Sequence, residues 1–128
     1  MNDYRDLLNV PFKLHGRSKE EGFDCLGLAI EILKRDGITL PDMNYDCLSE
    51  TRYLEKFYSD VGCFTKIEKP RINCIIEIEY KGLPQHIAVY IGDGKMIHSV
   101  MDKGVRIEPL HLWINRIKGY YSVTNNNI

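Results

Sequence analysis

From Cys63 onward the apolar residues of this chain recur at every second position, whereas before it they recur at helical spacing. One segment cannot satisfy both periods, so the switch separates a helical first half from a stranded second half. Phe64 to Glu68, Asn73 to Tyr80, His86 to Ile91, Lys95 to Val100 and Val105 to Glu108 read as strands punctuated by Gly, Pro and Asp, and Tyr120 to Val123 adds a last one. In the first half, an amphipathic start carrying Tyr4, Leu7 and Leu8 ends at Pro11, and a glycine-containing loop runs from Leu14 to Gly22. Phe23 to Arg35 then gives the strongest helix, with Leu26, Ala29, Ile30 and Leu33 along one side, Leu28 and Ile32 beside them, and Gly37 as its stop. A weaker helix over Asp46 to Ser59 rests on Leu48, Tyr53, Leu54 and Phe57, and Leu110 to Arg116 reads as a short helix before the last strand. Helices followed by a meander of strands predict an α+β fold, the helices packed on one face of an antiparallel sheet.

A chain of 128 residues suits a single domain, residues 1–128 with a core over about 3–123 and a polar, frayed 124–128. Seventeen Lys and Arg against 18 Asp and Glu give a net charge of −1, which supplies no basic face for nucleic acid and no polybasic anchor for lipid. The opening Met1-Asn2-Asp3-Tyr4-Arg5-Asp6 has no apolar leader, and no run approaches the roughly 20 apolar residues of a membrane span. The expectation is a chain made and kept in the cytoplasm unless another system carries it out. Cys25, Cys47, Cys63 and Cys74 are spaced irregularly, without a C-x-x-C pair or a histidine at zinc-finger distance, so they read as reduced thiols with no metal and no cofactor.

One thiol stands apart. In Gly22-Phe23-Asp24-Cys25-Leu26-Gly27-Leu28, Cys25 falls in the first turn of the strongest helix, directly after a glycine-bearing loop. Unpaired N–H groups and the helix dipole favour negative charge there, which stabilises a thiolate and can hold a developing oxyanion. The competing reading is a small buried cysteine beside an apolar helix.

A nucleophilic thiol needs a base, and the chain offers His15, His86, His98 and His111. His86 and His98 flank the Asp93-Gly94 turn of the best hairpin, Gln85 to Ser99. A two-residue Asp93-Gly94 turn pairs Gly92 with Lys95 and Val89 with His98, which sends the two histidines to opposite faces. A three-residue Gly92-Asp93-Gly94 loop pairs Ile91 with Lys95 and Ala88 with His98, which sets His86 diagonal to His98 on one face, with small Ala88 between them. The second register permits a relay in which His98 orients His86 and His86 takes the proton of Cys25. Two sheet-edge histidines, or a metal pair lacking a recognisable third ligand, are the other readings. His15 and His111 read as a surface loop residue and a structural partner. Lys13, Arg17, Lys19, Glu20 and Glu21 read as a solvated charged loop, and Trp113 as too isolated for a stacking platform.

Gly22-Phe23-Asp24-Cys25-Leu26-Gly27-Leu28 followed by His86-Ile87-Ala88-Val89-Tyr90-Ile91-Gly92-Asp93-Gly94-Lys95-Met96-Ile97-His98-Ser99 resembles the NlpC-type cell-wall cysteine peptidases, compact relatives of papain. The match runs from about Pro11 to Tyr121. The resemblance implies a papain-like domain, hydrolysis of amide bonds in peptidoglycan stem peptides or muropeptides, Cys25 as nucleophile, His86 as base and His98 as its orienting partner. It also favours the same-face register. Gly104-Val105-Arg106-Ile107-Glu108-Pro109-Leu110, Trp113 and Gly119-Tyr120-Tyr121, with Pro11-Phe12, Gly16-Arg17 and Gly22, are similar to the phage-associated branch. That branch would bring phage tail proteins as partners and delivery by a tail particle; a cytosolic muropeptide-recycling enzyme accounts equally for the missing leader.

The chain departs from the family pattern twice, with Leu26 where many relatives carry serine and Phe12 where they carry an upstream tyrosine. Phe12 and Asp24 are the expected substrate-binding residues, Asp24 either accepting a substrate amine or holding the loop through backbone hydrogen bonds. Acyl transfer or thioester cleavage on the same fold, and a catalytically silent structural or wall-binding module, are the alternative functions.

Overall fold

The computed structural model describes residues 3–42, 64–80 and 83–123. Two short strands, β1 (Arg17–Ser18) and β2 (Gly22–Phe23), form a small hairpin ahead of helix α1 (Cys25–Arg35). Six more strands follow: β3 (Phe64–Ile67), β4 (Ile75–Tyr80), β5 (Leu83–Gly92), β6 (Lys95–Val100), β7 (Gly104–Pro109) and β8 (Ile117–Val123). A 3₁₀ segment, Leu110–Arg116, joins β7 to β8. The Asp46 to Ser59 helix of the sequence reading lies outside the described residues. The amphipathic start is a run of hydrogen-bonded turns, Leu7 N to Tyr4 O and Val10 N to Leu7 O, that buries Tyr4, Leu7 and Val10.

The strand order β3-β8-β4-β5-β6-β7 is antiparallel throughout, and β4 to β7 form the expected meander. The last strand does more than the reading of Tyr120 to Val123 foresaw. It is longer, and it inserts between β3 and β4, with Ile75 opposite Tyr121 and Phe64 opposite Val123. Ile75, Ile76, Glu77 and Ile78 of β4 are therefore buried in succession, as befits a strand with neighbours on both sides and cover on both faces.

Alternation sorts the strand residues onto these faces. Ile75, Ile87, Val89, Ile97 and Val105 join Leu28, Ala29, Ile32 and Leu33 of α1 in the larger core. Ile76, Ile78, Ala88 and Met96 form a second, smaller core under Leu110, with Trp113 packed against it. So the sheet carries helix on one face and the 3₁₀ segment on the other, where one covered face was expected.

α1 starts where Asp24 caps it, its carboxylate accepting from the Gly27 N–H at 2.7 Å. Lys34 and Arg35 occupy the last turn, where their positive charges complement the partial negative end of the helix dipole, and Gly37 follows with φ 76°. Leu26 and Ile32 are buried, whereas Ile30, counted on the apolar side from spacing, is only half-buried.

Gly27 marks the tightest approach between helix and loop. A Cβ placed there would stand 2.1 Å from the Gly16 carbonyl oxygen, a backbone atom that cannot swing aside. Gly27→Ala is expected to destabilise the fold by about 1–3 kcal/mol, the typical cost of overpacking, read as a lowered urea midpoint at unchanged m value.

Candidate active site

The site is built on three neighbouring strands, and the first question is their register. Gly92 pairs with Lys95 across a two-residue Asp93-Gly94 turn, with φ 53° and 71° at those residues. The ladder then shifts between Tyr90 and Gly92, so that Tyr90 faces Met96 and Val89 faces Ile97. Continued by one residue, this sets Ala88 opposite His98. The hairpin thus joins the turn of one expected register to the pairing of the other, because Ile91 is accommodated as an extra residue in β5. His86 is diagonal to His98 on the face that also carries Ala88 and Met96.

The two imidazoles meet. His86 Nε2 lies 2.8 Å from His98 Nδ1, and both rings are buried, 6% and 1% exposed. His98 Nε2 in turn contacts Glu108 Oε2 at 2.5 Å. On β7, Arg106 faces His98 and Glu108 faces Met96, so Glu108 is again one diagonal step away. His86, His98 and Glu108 therefore make a continuous chain across β5, β6 and β7.

Glu108 was not singled out from the sequence. The signal was present: following the alternation across the Met101 to Gly104 turn puts Glu108 on the His98 face.

Aromatic rings wall this chain. The Trp113 ring meets His98 edge-on at 5.0 Å, stacks on Tyr80 at 5.9 Å and lies under the Arg116 guanidinium, while Tyr80 lies 5.1 Å from His86. Trp113 thus packs against His98 and, through Tyr80, backs His86, which its isolation in the sequence did not reveal. Burial, with the adjacent His98, holds the His86 pKa well below the usual imidazole value. Hydrogen bonds from His98 and, to a lesser degree, Trp113 hold the Glu108 carboxyl below the usual carboxylate range, against a partial burial that raises it.

Cys25 occupies the first position of α1 and is buried, 2% exposed; like Cys74 it is not disulfide-bonded. Asp24 beside it is fully buried. One carboxylate oxygen accepts from Gly27 N and from Arg17 at 2.8 Å, and the other from His15 N at 2.9 Å. Of the two roles expected of Asp24, this is the loop-holding one. Arg17 also reaches Asp42, so it leaves the solvated loop set and joins a partly buried network. Phe12 bridges to Phe23 and packs half-buried on the larger core. The Phe23 carbonyl accepts from Ser99 Oγ at 2.7 Å, which ties the entry of α1 to the residue next to His98. His15 is exposed, as a surface loop residue should be; His111, read as a structural partner, is exposed as well. Among the described residues no three His, Cys, Asp or Glu side chains are arranged to hold a metal ion.

Residues 9–120 match the NlpC/P60 family model. The chain belongs to the NlpC/P60 family. It is 32% identical over 111 residues to a gamma-DL-glutamyl hydrolase of Bacillus subtilis, covering 84% of this chain and 24% of that protein. It is 31% identical over 112 residues to a gamma-D-glutamyl-L-lysine dipeptidyl-peptidase of Bacillus cereus, covering 87% of this chain and 31% of that protein. The chain thus spans about a quarter to a third of the length of these curated relatives. A crystal structure of an NlpC/P60 family protein from Bacillus cereus superposes with a TM-score of 0.62 at 29% identity, covering 89% of this chain and 35% of that one.

The histidine and the carboxylate give this NlpC/P60 chain a pH signature of definite sign. A histidine with a depressed folded pKa contributes stability above its unfolded pKa of about 6.5 that is lost as pH falls below it. Glu108, also depressed, adds a loss of the same sign below about 4.3, the unfolded value for glutamate. Urea midpoints are expected to fall from pH 8 towards pH 5, with a shallower slope in His86→Gln.

Proposed function

We propose that this chain is a cysteine-type peptidase that hydrolyses an amide bond in peptidoglycan stem peptides, with Cys25 as nucleophile, His86 as base and His98 as the group that orients it. The observation that carries the reading is the His86 Nε2 to His98 Nδ1 contact at 2.8 Å. It engages one ring nitrogen of His86 and leaves Nδ1 as the nitrogen for the thiol. A buried imidazole whose pKa is held down is neutral at physiological pH, as a general base must be.

The chemistry follows from these groups. His86 Nδ1 takes the Cys25 proton, and the sulfur adds to the amide carbonyl carbon. The first-turn N–H groups of α1 face the oxyanion that forms. Collapse of that intermediate breaks the C–N bond, and the imidazolium returns its proton to the leaving amine, leaving a Cys25 thioester. Water, deprotonated by the same imidazole, then adds to the thioester carbonyl and releases the acid and the thiol. Because His86 and His98 share a face with Ala88 and Met96 while α1 covers the opposite one, this reading requires the thiol to reach the imidazole around the end of the sheet near the start of β5.

The names of the two relatives, a gamma-DL-glutamyl hydrolase and a gamma-D-glutamyl-L-lysine dipeptidyl-peptidase, support a γ-D-glutamyl linkage as the bond cleaved.

Mass spectrometry of γ-D-glutamyl stem-peptide fragments incubated with the protein tests the reading and names the bond. Cys25→Ala is expected to reduce turnover on the order of 10⁴-fold or more, and His86→Ala by about 10²- to 10⁴-fold, with circular dichroism unchanged in both. Equal turnover by Cys25→Ala and the parent would remove the nucleophile assignment.

A further inference from the structure

A pair of neutral imidazoles joined by one hydrogen bond has a directional ambiguity. Each ring carries a single N–H, and the contact between His86 Nε2 and His98 Nδ1 needs one hydrogen in all. If His86 Nε2 donates, His86 Nδ1 keeps its lone pair. If His98 Nδ1 donates, His86 carries its hydrogen on Nδ1 and has no lone pair for a thiol. The 2.8 Å contact is compatible with either, so some third group has to choose.

We infer that Glu108 is the positioning residue that makes this choice, fixing the hydrogen of His98 on Nε2 and thereby forcing His86 into the tautomer that can act as a base. A carboxylate accepts and does not donate, so the 2.5 Å contact between His98 Nε2 and Glu108 Oε2 requires the hydrogen to sit on Nε2. His98 Nδ1 is then an acceptor, His86 Nε2 must donate to it, and the His86 lone pair lies on Nδ1. Three side chains, each one diagonal step from the last on adjacent antiparallel strands, thus propagate a single choice across the sheet.

Two further features fit this role. The Glu108 side chain is 33% exposed, in contrast to the fully buried His98 side chain, so it stays ionised where a deeply buried carboxyl would be driven neutral. It lies in a cavity of about 430 Å³ lined also by Lys103 and Arg106, whose positive charges favour the anion, while Glu79 and Asp102 in the same lining oppose it. The inference rests on His86 serving as the base, and it deepens that reading by giving the base a source for its tautomer.

The test compares the parent with Glu108→Ala and Glu108→Gln at about pH 8, above the usual imidazole titration. Nitrogen-15 NMR of the histidine side chains reports which nitrogen carries hydrogen. The parent is expected to show Nε2–H for both His86 and His98. In Glu108→Ala the Nδ1–H forms are expected to appear at both residues together, and kcat on a stem peptide to fall about 10- to 100-fold with KM within twofold, less than the loss of the base itself. Glu108→Gln, whose carbonyl still accepts from His98 Nε2, is expected to restore the parent tautomers and most of kcat.

Parent tautomers in a folded Glu108→Ala would overturn the inference, whatever happens to kcat. So would failure of Glu108→Gln to restore the tautomers. The NMR readout needs no turnover, so a parent that cleaves no stem peptide would count against the proposed function while leaving the Glu108 assignment to be decided by the spectra.

Discussion

One residue in excess on β5 decides what this sheet can do. Side chains alternate along a strand, so a slip of one position would exchange the faces of every residue beyond it. With a regular two-residue turn, His86 and His98 would point to opposite sides and never meet. The shift between Tyr90 and Gly92 absorbs Ile91 and puts the histidines on one face, at diagonal positions that rings can span. The positive φ of Gly92, 92°, is the backbone conformation at the end of that shift, one that glycine adopts without a Cβ clash.

The same alternation links the histidine pair to the helix. Ser99 follows His98 on β6 and so points to the opposite face, where its hydroxyl donates to the Phe23 carbonyl just ahead of α1. Adjacent residues of one strand thus hold the paired histidines on one side and the start of α1 on the other. The start of α1 is fixed from within as well. The Asp24 carboxylate is the acceptor around which Gly27, His15 and Arg17 gather, and His15 takes a positive φ of 63° to reach it. A buried carboxylate with three donors organises the loop that a soft, glycine-rich sequence alone would leave loose.

What the sequence made legible was local. Helical spacing located α1, and the period-two segments located β4 to β7, because each signal is carried within one element. Hairpin pairings could be narrowed to two, and the family resemblance favoured the same-face outcome. Facts that depend on elements distant in sequence were not legible. The insertion of β8 between β3 and β4 is a long-range pairing with no local cue. Trp113 belongs to a 3₁₀ segment that folds back over the second core, so its contacts with His98 and Tyr80 exist only once β7 and β8 are in place. Arg17 looked like one charge among several in a solvated loop until its partners Asp24 and Asp42, 7 and 25 residues away, came beside it.

The chain His86, His98, Glu108 runs from two buried imidazoles to a partly exposed carboxylate, and that placement matters. His86 is buried, and burial with the adjacent His98 holds its pKa well below the usual imidazole value. His98, walled by Trp113, has room for one hydrogen bond at each ring nitrogen and makes both. Glu108 ends the series at the rim, where water and neighbouring cations sustain its charge. Reversing the order, with the carboxylate inside and a histidine at the rim, would raise the carboxyl pKa and favour its protonated form, which donates as readily as it accepts. The direction of the hydrogen bonds would then be lost. On the proposed reading, a base that must be neutral and an orienting anion that must stay charged need opposite dielectric surroundings, and a diagonal path across three strands, from buried rings to a partly exposed carboxylate, supplies both within one sheet.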